Sequence, residues 1–393
     1  MGLCTLCVFP RYRYNYYMTA KNTALTLLLL LSAILPARAA SDEIAAKFKD
    51  LSYPIELQLP MPDKDGGVLF ETSYSETPEV TYDTVLIQGQ MPDPGVKVEL
   101  AVKGRTFLNA PIRYSYDAFR RFPDGRFWAR YTLPASRQPL KLSILASGSK
   151  APSSLAIYES ELFIAGKEQE ILVSGSTVPY VIPDELFYPA GGPFPIIRRA
   201  EWQAAPPREP YTPHEPKAIT LHHTQGNYPQ TAAAGLNEVQ FIQDYHQNAK
   251  KWIDIGYHFL VDPLGNIYEG RPIKVLGAHV SGHNTANIGI SVMGNYHKPA
   301  HNVFTDKSKD SFVAVGRYIL GTYDVSVSSF YAHRDIGNSD CPGDDLYARK
   351  GELRDLIFNP APQSGPAVPA DGPVLTPAQE NSLRQLRLFL NSR

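Results

Sequence analysis

The pattern of hydrophobic and polar positions changes near the middle of the chain. From about residue 81 to 166, short apolar runs alternate with polar positions and are separated by turn sequences. Alternation with a period of two predicts half-buried strands, and strands at this spacing favour an antiparallel sandwich. The predicted strands are TVLIQGQ, VKVELAVKG, RFWARYTL, LKLSILASG and SSLAIYESELFIAG. Just upstream, residues 42–50 are predicted to form a short helix.

Beyond about residue 196, strand-like and helix-like segments alternate. This order predicts an α/β fold with a central mixed β-sheet flanked by helices. The predicted strands include AITLHHT at 218–224, a hairpin within YHFLVDPLGNIYEG at 257–270, NIGISVMGN at 287–295 and SSFYAHRD at 328–335. Helical spacing occurs at 236–250 and 308–324.

The chain is therefore predicted to be multidomain, with an all-β region ahead of the α/β region. The predicted segments are a signal peptide at 1–39, a β-sandwich-like accessory domain at 42–166, a linker at 167–195, an α/β domain at 196–358, a proline-rich linker at 359–375 and a C-terminal helix at 376–393.

The N-terminus has the features of an export signal. Lys21 precedes an apolar run at 25–35, and Ala37-Arg38-Ala39 forms a cleavage site. The run is shorter than the ~20 residues of a membrane-spanning helix. We expect Met18 to be the true start and the mature chain to be exported, to the periplasm or the medium, without stable membrane insertion. The alternative is an anchor that is never cut.

Charge and histidine content locate the chemistry. The net charge of −1, without a basic block, argues against a nucleic-acid partner. All ten histidines lie between His214 and His333, so the chemistry is expected in the α/β domain.

Cys341 is the one cysteine that follows the predicted signal, so it has no internal disulfide partner. His333 lies shortly before it, and His222-His223 lies upstream. Zinc binds nitrogen and sulfur ligands, and a catalytic site uses three protein ligands. Adjacent strand residues point to opposite faces, so one of His222 and His223 would join His333 and Cys341. The alternation of side chains along the strand does not indicate which of the two histidines it is.

Four segments occur in a characteristic order: LHHT, DIGYHFLVDPLGNIYEGRP, LGAHVSGHNTANIGISVMGNY and AHRDIGNSDCPGDDLY. Over residues 196–357 this series resembles the peptidoglycan recognition protein and phage-lysozyme-type N-acetylmuramoyl-L-alanine amidase family. The resemblance implies an α/β zinc amidase domain. It also implies one Zn²⁺ per chain, held by His222, His333 and Cys341.

The resemblance also implies catalytic roles. Tyr257 matches the catalytic tyrosine, whose phenol would hydrogen-bond the attacking water or the developing oxyanion. Ser339 stands where phage-type enzymes carry lysine and animal-type enzymes tend to carry threonine, and its hydroxyl would donate a weaker, neutral hydrogen bond. His279 matches a groove histidine that donates a proton or holds a carbonyl.

The implied partner is peptidoglycan, and the implied substrate bond joins the lactyl group of N-acetylmuramic acid to L-alanine. Trp252, His283 and Asn287 are predicted to line the substrate groove. Pro272-Ile273 replaces the Gly-Trp pair that animal relatives use for diaminopimelate-type stems, so no stem preference follows. Two alternatives remain: a non-catalytic peptidoglycan-binding protein, and a zinc amidase that acts on another N-acyl amide.

Overall fold

The computed structural model describes residues 44–104, 110–165 and 181–359. The predicted segments outside these residues are the signal peptide at 1–39, residues 167–180 of the first linker, residues 360–375 of the second linker and the C-terminal helix at 376–393. Among the described helices, none combines the length and apolar character needed to cross a membrane.

In the described residues between 44 and 165, every element of regular secondary structure is a β-strand. They are β1 (Ile44–Ala45), β2 (Ile55–Leu59), β3 (Val68–Glu71), β4 (Tyr82–Gln90), β5 (Val96–Val102), β6 (Ile112–Tyr114), β7 (Ala118–Arg121), β8 (Arg126–Ser136), β9 (Leu140–Ala146) and β10 (Ser153–Phe163). The five runs predicted from alternation coincide with β4, β5, β8, β9 and β10. The short helix expected at 42–50 is wrong, because Ile44 and Ala45 pair with β10 and tertiary pairing overrides local propensity.

Antiparallel pairing joins these strands into two sheets. The first sheet has the order β1-β10-β4-β8-β7, with β2 also paired to β10, and the second has the order β3-β9-β5-β6. Ile87 and Tyr131 of the first sheet share one hydrophobic cluster with Leu100 and Leu142 of the second. Alternate side chains of each sheet are therefore buried against the other sheet. The assignment of residues 42–166 as a separate domain stays a prediction.

Residues 181–359 contain the following strands and helices, besides short 3₁₀ turns at Asp184–Leu186 and Val327–Ser329. They are β11 (Ala218–His223), α1 (Ala232–Asp244), β12 (Phe259–Val261), β13 (Ile267–Glu269), β14 (Asn287–Val292), α2 (Asp306–Thr322), β15 (Phe330–Ala332), α3 (His333–Ile336), α4 (Asp344–Tyr347) and α5 (Lys350–Phe358). A π-helical turn, Tyr245–Ala249, continues α1. Thr231 caps α1 by accepting a hydrogen bond from the N–H of Ala234.

The third sheet is mixed, as the sequence predicts. Its order is β13-β12-β14-β11-β15, in which β11 runs parallel to β14 and β15, and β12 runs antiparallel to β13. All residues of β14 are buried, which indicates that both faces of the sheet are covered. Leu221 of β11 is paired with Ala332 of β15, so the residues that follow, His222 and His333, lie at the same edge.

Helix α1 packs against both the all-β region and the mixed sheet. Its residues Leu236 and Phe241 share a hydrophobic cluster with Leu86 and Trp128 of the first sheet. The same cluster includes Leu260 of the mixed sheet. The first sheet is therefore packed on the α/β region through α1.

Candidate metal centre

Strand β11 ends in two adjacent histidines whose side chains point to opposite faces. His222 is fully buried, and its Nδ1 lies 3.5 Å from the Sγ of Cys341. The His223 ring lies instead near Tyr296 and His297, with centroid distances of 6.3 and 5.4 Å. The alternation of side chains along the strand did not indicate which histidine faces the site. In the structure, His222 faces Cys341.

His333 and Cys341 reach His222 from the neighbouring strand and loop. His333 is the first residue of α3, directly after β15, and its ring centroid lies 4.8 Å from that of His222. The Sγ of Cys341 accepts a hydrogen bond from the backbone N–H of His223 at 3.3 Å. The Oγ of Ser339 accepts one from the N–H of Cys341 at 3.1 Å, which holds the loop around the thiol.

The side chains of His222, His333 and Cys341 form one group of potential metal ligands. One ligand atom from each residue lies within 4.8 Å of the others. Two imidazole nitrogens and one sulfur at this separation can hold a single ion with one position left for water or substrate. The structure thus brings the three predicted ligands together.

Burial sets the protonation of this group. It lowers the pKa of His222 well below its usual value, an effect to which the nearby His333 adds, and it lowers the pKa of His333 to about 4. Burial also raises the pKa of the Cys341 thiol. The two imidazoles are therefore neutral and offer lone pairs at pH 7, whereas the thiol must lose its proton to solvent when a cation binds there.

His333 and Cys341 line a cleft of about 300 Å³ that has an aromatic wall, whereas the fully buried His222 is not among the described residues that line it. The Tyr257 ring lies 5.3 Å from the His222 ring. The ring of His246 is 5.7 Å from Tyr257 and 4.7 Å from Trp252. Burial raises the pKa of Tyr257, so its phenol keeps its hydrogen at neutral pH and is a hydrogen-bond donor.

His279 and Ser339 also line the cleft, but both have partners within the protein. His279 lies against His222, with 3.0 Å between its Nδ1 and the Nε2 of His222. The oxygen of Ser339 already accepts the N–H of Cys341, and its hydroxyl hydrogen is the group left to donate.

Two predicted groove residues lie elsewhere. His283 and Asn287 are absent from the described residues that line the cleft. The Asn287 side chain accepts a hydrogen bond from the hydroxyl of Thr220 and donates one to the carbonyl of His283. These contacts connect β14 to β11 and to the preceding loop. Substrate contact by His283 and Asn287 stays a prediction that their placement does not favour.

The first sheet supplies another wall of the cleft, which the sequence did not predict. Glu159 and Glu161 of β10 line it, together with Lys250, which directly follows the π-helical turn. Glu161 accepts a hydrogen bond from Tyr245 at 3.0 Å and forms a buried ion pair with Lys250. One feature of the sequence could have indicated this wall: two carboxylates occur inside an otherwise apolar strand, which is typical of a buried polar contact.

Comparison with known proteins adds the family. Residues 212–344 match the family model described as N-acetylmuramoyl-L-alanine amidase. Peptidoglycan-recognition protein SC2 of Drosophila melanogaster is 36% identical over 163 residues, a match that covers 39% of this chain and 82% of that protein.

Two solved structures are also similar over part of the chain. One is peptidoglycan recognition protein-LE in complex with tracheal cytotoxin, at 27% identity, 39% coverage of this chain, 92% coverage of that chain and a TM-score of 0.37. The other is the endolysin amidase LysCS of Clostridium intestinale, at 29% identity, 37% and 90% coverage and a TM-score of 0.32. The assignment rests on the sequence matches: the chain belongs to the peptidoglycan recognition protein and N-acetylmuramoyl-L-alanine amidase family.

Proposed function

We propose that the protein is an exported, zinc-dependent N-acetylmuramoyl-L-alanine amidase. Its substrate is peptidoglycan, and it hydrolyses the amide between the lactyl group of N-acetylmuramic acid and L-alanine of the stem peptide. The observation that carries the proposal is the meeting of His222, His333 and Cys341 beside Tyr257, at a cleft that is lined by His333, Cys341 and Tyr257. Family membership supports the reaction class, and the predicted signal at 1–39 supports export to the periplasm or the medium.

The three side chains fit a zinc ion. Two neutral imidazoles and a thiol that a cation can deprotonate are the donors that zinc prefers, and three protein ligands leave a fourth position open. When bound, zinc supplies a Lewis acid that polarises the amide carbonyl and activates water. His222, His333 and Cys341 hold the ion in this proposal.

The chain's own groups stabilise the change of charge at the amide. Hydrolysis adds a hydroxyl to the carbonyl carbon, breaks the C–N bond and leaves a proton on the amine of L-alanine. Tyr257 keeps its phenolic hydrogen at neutral pH, so it donates a hydrogen bond to the carbonyl oxygen as negative charge develops there. The hydroxyl of Ser339 is a second, weaker donor at the same cleft.

The first sheet shapes access to this chemistry. In this proposal residues 42–166 form an accessory sandwich-like domain that is packed against the amidase domain at 196–358. The ion pair between Glu161 and Lys250 lies at the cleft where the two meet. A stem peptide that enters the cleft therefore contacts residues of both regions, with Trp252 on the amidase side.

Two alternatives give different results in solution. A non-catalytic peptidoglycan-binding protein would bind sacculi without releasing peptides. A zinc amidase for another N-acyl amide would bind zinc and hydrolyse model amides but leave sacculi intact. Turnover on sacculi separates both from the proposal.

Metal removal is expected to abolish release of stem peptides from purified sacculi. The zinc chelator 1,10-phenanthroline should lower the release rate to background and added zinc should restore it, because the proposed hydrolysis depends on the Lewis acid that zinc supplies. The measurement is chromatography of soluble peptides. The matched control is 1,7-phenanthroline, which does not chelate and should leave the rate unchanged. A protein that holds one zinc ion but releases no peptides would be a binder, and the amidase proposal would fail.

A further inference from the structure

His279 lies directly behind the proposed ligand His222. The His222 ring is fully buried, and its Nε2 is 3.0 Å from the Nδ1 of His279. The other nitrogen of His279, Nε2, is 3.0 Å from the backbone carbonyl oxygen of Asn287. These two contacts form a chain from a backbone carbonyl through His279 to His222.

The backbone carbonyl decides where each hydrogen in this chain lies. A carbonyl oxygen only accepts, so the Nε2 of His279 must carry a hydrogen. Neither partner of the His279 ring is a carboxylate that would stabilise a buried positive charge, so the ring is neutral and its Nδ1 is an acceptor. The Nε2 of His222 must then donate to it. His222 is left with an unprotonated Nδ1, the atom that lies 3.5 Å from the Sγ of Cys341.

The surrounding backbone fixes the orientation of His279. A Cβ on Gly277 would lie 2.6 Å from the Cδ2 of His279, and a Cβ on Gly289 would lie 2.6 Å from its Cγ. Only glycine allows the backbone to approach the ring this closely at both positions. The Oδ1 of Asn284 also accepts the backbone N–H groups of His279 and Val280, at 2.8 and 2.9 Å. The ring therefore has little freedom to rotate towards the cleft.

We infer that His279 is a positioning residue that fixes His222 as its Nε2–H tautomer and directs the Nδ1 lone pair of His222 towards Cys341 and His333. This role rests on the proposed zinc site and differs from the one that the family resemblance implies for His279, which is to donate a proton or hold a carbonyl. The hydrogen on its Nε2 is bound to the carbonyl of Asn287, so it is not directed at a substrate. A hydrogen bond to the second nitrogen of a histidine ligand typically strengthens metal binding about 10- to 100-fold.

The tautomer is measured first, on the metal-free protein. Long-range ¹H–¹⁵N spectra of ¹⁵N-histidine-labelled protein should show the Nε2–H form for both His222 and His279. The Nδ1–H form of His222 would overturn the inference. This measurement requires neither bound zinc nor turnover, so its outcome is independent of whether the amidase proposal is correct.

Two substitutions then test the consequence for metal affinity. His279→Phe keeps a ring but removes the acceptor, and zinc affinity measured by competition with a chromophoric chelator should fall about 10- to 100-fold. In His279→Asn the side-chain oxygen can take the place of Nδ1, so most of the affinity should return. His214→Phe is the control, because His214 stacks on His258 rather than on His222 and should leave zinc affinity unchanged. Wild-type affinity in His279→Phe, or an equal loss in His279→Asn, would contradict the positioning role. If His279→Phe does not fold, the asparagine variant and the wild-type spectra still decide the inference.

Discussion

Replacing Cys341 with serine is expected to abolish peptide release and to weaken zinc binding by more than the roughly 100-fold that loss of a supporting contact causes. The thiol loses its proton to solvent when a cation binds its sulfur, whereas a serine hydroxyl does not ionise near neutral pH and is a poor zinc ligand. Cys341 is buried and its Sγ lies 3.5 Å from the Nδ1 of His222, so the substitution removes the one sulfur donor from this ligand group. Zinc content after dialysis and the rate of peptide release are the two measurements.

Cys341→Asp tests whether Cys341 acts as a metal ligand. A carboxylate is ionised at pH 7 and is a zinc ligand, so this variant should bind zinc more tightly than Cys341→Ser. Circular dichroism of the metal-free variants controls for folding. Full activity and unchanged zinc content in Cys341→Ser would refute the assignment of Cys341 as a ligand.

Arg126→Met is expected to lower the free energy of unfolding by about 3–5 kcal/mol. Arg126 of β8 donates to both carboxylate oxygens of Glu238 in α1, at 3.1 and 3.2 Å, and both side chains are 1% exposed. Burial raises the pKa of Glu238, although Arg126 opposes this effect. The substitution would leave Glu238 buried without its partner between the first sheet and the α/β region. Urea unfolding followed by tryptophan fluorescence measures the loss.

A second ion pair, between β7 of the same sheet and α1, provides the control. Arg120 pairs with Asp244, but its side chain is 52% exposed. Arg120→Met should therefore cost only about 0–1 kcal/mol. The double variant Arg126→Met with Glu238→Leu should recover much of the loss, because it removes both charges together. Equal destabilisation by Arg126→Met and Arg120→Met would show that burial of the ion pair does not determine the loss in free energy of unfolding.

The ligand group could be predicted because the ordered sequence segments resemble those of the family, and that resemblance implies His222, His333 and Cys341 as the ligands. The alternation of a strand required that one of His222 and His223 face the site, and parallel pairing of β11 with β15 brought His333 to the same edge. The sequence could not distinguish His222 from His223, because alternation shows that adjacent side chains face opposite sides of the sheet but not which side faces the site. The strands of the mixed sheet were predicted from a local pattern, namely apolar runs bounded by turns.

The wall formed by the first sheet could not be predicted in this way. Glu161 meets Lys250 only because the first sheet is packed on α1, and that contact joins residues far apart in sequence. The role of His279 was likewise hidden, because the motif gives its position but not the direction of its ring. That direction depends on the close approach of Gly277 and Gly289. Contacts of this kind follow from tertiary packing and not from local patterns.

Product identity on purified sacculi tests the central claim most directly. The proposal predicts soluble stem peptides that begin with a free amino group on L-alanine, together with glycan strands whose muramic acid retains a free lactyl carboxylate. Mass spectrometry distinguishes these products from those of cleavage within the peptide or the glycan. Their loss on chelation and return with zinc would support the role of His222, His333 and Cys341. Peptides that remain attached to muramic acid, in the presence of zinc-loaded protein, would contradict it.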